Sequence, residues 1–182
     1  MKKIVLAIAI LTSVTAMAGS VSVEGTTAEN VAGKQSVLGY SLSATEAVSK
    51  NMDVGAGLST SQAETTNAVG SRLELSLTPK TEFGRIKMAV KTAVGVKLSG
   101  AGSANFYSVE PNISVPVTSD LTLKMGYRFR SMIDQSLADT TRTARLALSY
   151  GLTKSDSLYV RYDAQRGDSE NNSWNFGYTR NF

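Results

Sequence analysis

The sequence predicts an all-β chain, a transmembrane antiparallel up-and-down β-barrel of ten strands. Eight strands is the alternative if the weaker amino-terminal segments do not pair. Three observations predict it: bulky apolar side chains recur on every second residue from Gly19 onward, tight turns alternate with polar and mostly longer loops, and aromatic residues gather toward the strand ends. Period-two alternation places one set of side chains on each face of a strand. The small polar partners of the apolar set argue against strands buried on both faces, which read as continuous apolar runs.

The amino terminus sets the compartment. Lys2 and Lys3 form a basic n-region, Ile4 to Leu11 an unbroken apolar h-region, and Ala16-Met17-Ala18 a small-x-small cleavage pattern. This is a secretory signal peptide over residues 1–18, with the mature chain starting at Gly19. Its apolar core is far short of the roughly 20 residues a membrane helix needs. Removal of 18 residues from 182 leaves 164, a single domain over 19–182. Cysteine is absent, so the exported chain does without disulfides and without a lipid-modified cysteine. No second apolar run reaches membrane-helix length, so residence in a membrane means a barrel. The net charge of +4 includes the two signal-peptide lysines, and the remainder is too small to suggest nucleic-acid binding.

The predicted strands, in order, are 20–29, 35–46, 52–60, 70–78, 84–98, 104–117, 121–131, 142–152, 157–166 and 173–182. In the fourth, Leu73, Leu75 and Leu77 oppose Arg72, Glu74 and Ser76. In the fifth, Ile86, Met88, Val90, Val94, Val96 and Leu98 oppose Arg85, Lys87, Lys91 and Lys97. In the seventh, Leu121, Leu123, Met125, Tyr127 and Phe129 oppose Lys124, Arg128 and Arg130. The eighth sets Leu146, Leu148 and Tyr150 against Arg145, and the ninth sets Leu158, Val160 and Tyr162 against Tyr159, Arg161 and Asp163. Most are long enough to cross a bilayer as tilted strands, which takes about 9–11 residues. Tight turns are expected at Lys50-Asn51, Pro79-Lys80, Ser119-Asp120 and Ser155-Asp156, with "SQAETTNAV", "SGAGS", "MIDQSLADTT" and "GDSENN" at the other end.

A soluble secreted β-sandwich also alternates, but it hides its apolar face against a second sheet. Here Tyr107, Tyr127, Phe129 and Trp174 project near the loop end, and Phe83, Tyr150, Tyr178 and Phe182 near the turn end. Two such belts around an aliphatic band suit a bilayer's two interfaces.

The last strand, "SWNFGYTRNF", alternates Trp174, Phe176 and Tyr178 and ends in Phe182. With the turns and belts, this chain resembles a small bacterial outer-membrane β-barrel of the porin-like kind, over the whole mature sequence. The resemblance implies an assembly signal in Trp174, Phe176, Tyr178 and Phe182, read by the β-barrel assembly machinery. Outer-membrane lipids and lipopolysaccharide are the other expected partners. Arg180 interrupts the apolar row near the rim, where a long side chain snorkels toward headgroups. Pro111 lacks a ladder donor, and a bulge or a shortened strand is expected around it.

The polar set then lines the lumen. It includes the basic residues Arg72, Arg85, Lys87, Lys91, Lys97, Lys124, Arg128, Arg130, Arg145 and Arg161, against the acids Glu24, Glu74, Glu110 and Asp163. A lumen of this size is just filled by side chains at about eight strands. Yet four acids cannot neutralise ten bases, and a dry unpaired cation is costly. Gly55, Gly57, Ser59, Ala89, Ala93, Gly95 and Gly151 leave room opposite the long chains. The reading that follows is a narrow hydrated pore passing small anions or small solutes, with a weak anion preference. The alternative is a non-conducting structural or surface-interaction barrel.

Other functions find little support. The chain has no histidine, the base on which outer-membrane hydrolases depend, and Glu74, Glu110 and Asp163 read as ion-pair partners. No metal cluster, nucleotide loop or calcium loop is spelled out, and no cofactor is expected; "GAGS" at 100–103 reads as a hairpin tip. Lys34, Arg142 and Arg166 lie near the loop end on the outer face, within reach of lipopolysaccharide phosphates or simply solvated.

Overall fold

The computed structural model describes residues 19–30, 36–64, 68–99, 102–134 and 139–182. The signal peptide and Lys34 lie outside the described residues. Ten antiparallel strands close into one barrel, each paired with its sequence neighbours, and β1 closes the ring against β10. They are β1 Ser20–Asn30, β2 Ser36–Ser49, β3 Met52–Ala63, β4 Val69–Phe83, β5 Ile86–Ser99, β6 Gly102–Pro116, β7 Leu121–Met132, β8 Thr141–Gly151, β9 Asp156–Gly167 and β10 Asn171–Asn181. The eight-strand alternative fails because β1 and β2 pair along nearly their whole length.

Closure removes both sheet edges, so a lipid-facing chain satisfies its backbone polar groups internally. The seam is tied at the turn end, where the Phe182 amide donates to the Gly19 carbonyl at 3.0 Å. Both ends of the barrel chain therefore lie at the turn side.

The distribution of side chains is inverted relative to a soluble protein. Leu73, Leu75, Leu77, Val94, Leu146, Leu148 and Phe176 are exposed on the outside, while Glu24, Ser108, Arg130, Thr141, Thr143, Asp163 and Asn175 are buried inside. Among the described residues no second sheet covers the outer apolar face, as a sandwich would require. Tyr107 packs on Phe129 (centroids 6.1 Å) and Tyr162 on Trp174 (5.0 Å) toward the loop end. Exposed Phe83, Tyr150, Tyr178 and Phe182 stand toward the turn end.

Two local expectations are corrected. The β4–β5 turn is at Gly84-Arg85, not Pro79-Lys80: β4 runs through the proline to Phe83, which pairs with Ile86. Gly84 has φ 62°, a left-handed conformation that suits glycine and fixes the reversal there. Pro111 causes neither a bulge nor a shortened strand. Register with β7 is the same before it (Val109 with Phe129) and after it (Asn112 with Gly126), while Pro111 itself faces Val90 on β5. The missing donor costs a local gap in one ladder only. The register irregularity falls instead between Ala47 and Ser49, beside the β2–β3 turn.

Candidate functional site: the charged lumen

Interior positions form continuous cross-strand rows around the barrel. One row runs Lys97, Arg72, Ser59, Ser41, Glu24, Gly177, Tyr159 and another runs Met132, Phe106, Gly95, Glu74, Gly57, Ser43, Ser22. Nine of the ten basic residues expected in the lumen occupy such strand positions, as do the four acids. Arg85 does not. It sits exposed in the β4–β5 turn, because β4 is longer than its proline suggested.

Charge is confined to one side. The interior faces of β2 and β3 carry Gly39, Ser41, Ser43, Thr45, Gly55, Gly57, Ser59 and Ser61, with Asp53 the charged exception at the turn end. Long charged side chains from β4 to β9 line the loop-side cavity together with this low wall.

At mid-height those side chains join in one chain of contacts. Glu110 on β6 pairs with Arg145 Nη1 on β8 at 2.6 Å, and Arg145 Nε lies 3.6 Å from Asp163 on β9. Asp163 accepts from Arg161 Nε at 2.8 Å. Arg161 then grips Glu24 on β1 with both terminal nitrogens, at 2.8 and 3.1 Å, and the Tyr159 hydroxyl donates to the same carboxylate at 2.7 Å. Strands β1 and β6 lie five steps apart in a ten-strand ring, so this layer of contacts follows half of the barrel's circumference. Its forked, charge-assisted geometry is the kind that holds side chains in place.

Cavity space lies on both sides of this layer. A chamber of about 370 Å³ on the loop side reaches Gln165, Asn171 and Ser61, and one of about 260 Å³ on the turn side reaches Ser22, Lys124 and Thr179. Ser43, Glu110, Arg145, Tyr159 and Arg161 border both.

Three acids that the strand pattern did not put forward also neutralise lumen bases. Asp53 pairs with Lys80, Glu82 with Lys87 at 3.4 Å, and Asp139, between β7 and β8, with Lys97 at 3.0 Å and Arg130 at 3.8 Å. Glu74 pairs with Lys91. Among the described residues this leaves Arg72, Lys124 and Arg128 as lumen cations with no carboxylate within 4.0 Å. No group of three or more His, Cys, Asp or Glu side chains among them is arranged to hold a metal ion.

No family model matches the chain, and no curated protein matches it in sequence. Solved structures do match in fold. A KdgM porin in complex with disordered oligogalacturonate superposes with TM-score 0.52 at 13% identity, over 90% of this chain and 99% of that one. A NanC porin gives 0.53 at 12% identity, over 89% and 100%. The β domain of the Bordetella autotransporter BrkA gives 0.55 at 11% identity, over 90% and 98%. The fold is thus that of small, porin-like barrels of the bacterial outer membrane.

Proposed function

We propose that this chain is a narrow, passive, non-enzymatic pore of the bacterial outer membrane, with a basic lumen that weakly prefers anions. One observation carries the reading: two polar chambers in series are lined by cations without carboxylate partners, Arg72 and Arg128 on the loop side and Lys124 on the turn side. A ring of one sign selects the opposite ion. The surplus is smaller than the strand pattern alone implied, since Asp53, Glu82 and Asp139 join the acids, so the preference is modest. Among the described residues the interior carboxylates are engaged by Arg or Lys, which suits a structural role. Proteoliposomes enclosing a chloride-quenched dye test the reading. Chloride entry above that of empty vesicles supports it, and equality contradicts it.

The ion-pair layer favours a second reading, a barrel that does not conduct at rest and serves the membrane structurally or at its surface. Under either reading the outward Trp174, Phe176, Tyr178 and Phe182 act as the assembly signal. Arg142 and Arg166, cross-strand partners on the outer face near the loop end, meet lipopolysaccharide phosphates.

A further inference from the structure

We propose that Arg72 and Arg128, backed by Arg130, form a binding site for a small oxyanion in the loop-side chamber. Phe106 anchors the cluster. It is 1% exposed and lies against Gly95, where an added Cβ would stand 2.6 Å from its ring. Arg72 and Arg130 both lean on that ring, at 5.5 and 6.0 Å from its centroid. Arg128 lines the loop-side chamber together with Arg72 and Arg145, so like charges gather in one region.

Nearby carboxylates relieve the crowding only in part. Glu74 is engaged by Lys91, Glu110 by Arg145, and Asp139 lies closer to Lys97 than to Arg130. Among the described residues Arg128 has one hydrogen-bond acceptor, the Thr143 hydroxyl at a long 3.4 Å. The Nε–H groups of Arg72, Arg128 and Arg130 are buried and meet no acceptor. Buried donors in proteins are normally satisfied, and buried cations are paired. Guanidinium forks match the paired oxygens of a phosphate or carboxylate better than a spherical halide. Ser59, beside Arg72 across β3–β4, and Ser61 on the same low wall add hydroxyl donors facing the chamber. The ligand class is therefore an oxyanion, phosphate or carboxylate. The inference rests on the pore reading only for the route by which the anion arrives.

The test is thermal unfolding of the refolded barrel in detergent, at constant ionic strength, as chloride is replaced by millimolar inorganic phosphate or by acetate. A saturable upward shift with phosphate, acetate or both is expected, and the two arms identify the preferred oxyanion. Arg72→Gln and Arg128→Gln are expected to unfold later than the parent without oxyanion, because repulsion is relieved, and to lose the shift. Arg128→Lys keeps the charge and loses the fork, so its shift shrinks. Identical curves in chloride, phosphate and acetate overturn the site, as does a full shift in the double Gln variant. Chloride flux is read separately. Flux without a shift removes the site and keeps the pore; a shift without flux does the reverse.

Discussion

Gly177 on β10 lies directly across from Tyr159 on β9, and the phenol ring fills the space a side chain there would need. A Cβ at 177 would stand 2.2 Å from Tyr159 Cζ. The absence of a side chain lets the ring lie flat against the wall and deliver its hydroxyl to Glu24 at 2.7 Å. Gly177→Ala is expected to lift the ring and break that bond, destabilising the barrel by about 1–3 kcal/mol through overpacking. Urea titration in detergent measures this, and combining Gly177→Ala with Tyr159→Ala should recover most of the loss.

Glu110→Gln removes the first link of the layer and leaves Arg145 to Asp163 at 3.6 Å. Both side chains are partly exposed and Arg145 keeps Asp163, so the loss is expected to fall below the about 3–5 kcal/mol of a fully buried pair. The same change removes a negative charge between the chambers, so anion selectivity should rise while stability falls. Single-channel recording and unfolding of one preparation check both, and a cation-ward shift would contradict the assigned position.

The outer face makes a separate prediction. Leu75 is 60% exposed near the middle of β4. Leu75→Arg should cost about 2–4 kcal/mol in phospholipid vesicles, as for a cation at the bilayer midplane. An unchanged folding equilibrium would mean that this face does not meet hydrocarbon.

Phe182→Ala tests the assembly signal. The folded fraction recovered from outer membranes should drop, while refolding of purified chain into detergent stays close to the parent. Equal loss in both settings would assign Phe182 to barrel closure alone.

Much of this architecture was legible in single strands. Alternation such as Leu73, Leu75, Leu77 against Arg72, Glu74, Ser76 fixes the two faces without knowledge of any partner strand. What escaped depends on relations between strands. Pro79 and Pro111 looked like interruptions, yet a proline costs only the one ladder into which its N–H would point. A hairpin at Pro79-Lys80 puts Arg85 on the lumen face by alternation, whereas β4 running to Phe83 leaves Arg85 in the turn and lets Lys80 meet Asp53. Asp139 belongs to a connection, and nothing in its neighbours shows that it meets Lys97 and Arg130. The Tyr159–Gly177 fit and the path from Glu110 to Glu24 need the register of several strands at once. One signal was available: glycines on the polar face of strands otherwise rich in bulky residues mark where another side chain lies close.

The central claim is a water-filled path whose cations outweigh its acids. It is tested most directly by the reversal potential of single channels in a planar bilayer under a potassium chloride gradient. A small discrete conductance with reversal displaced toward the chloride equilibrium potential is expected, moving toward the potassium potential in Arg72→Glu and Lys124→Glu. Reversal at the potassium potential, or no steps from barrels shown to be folded, would contradict it.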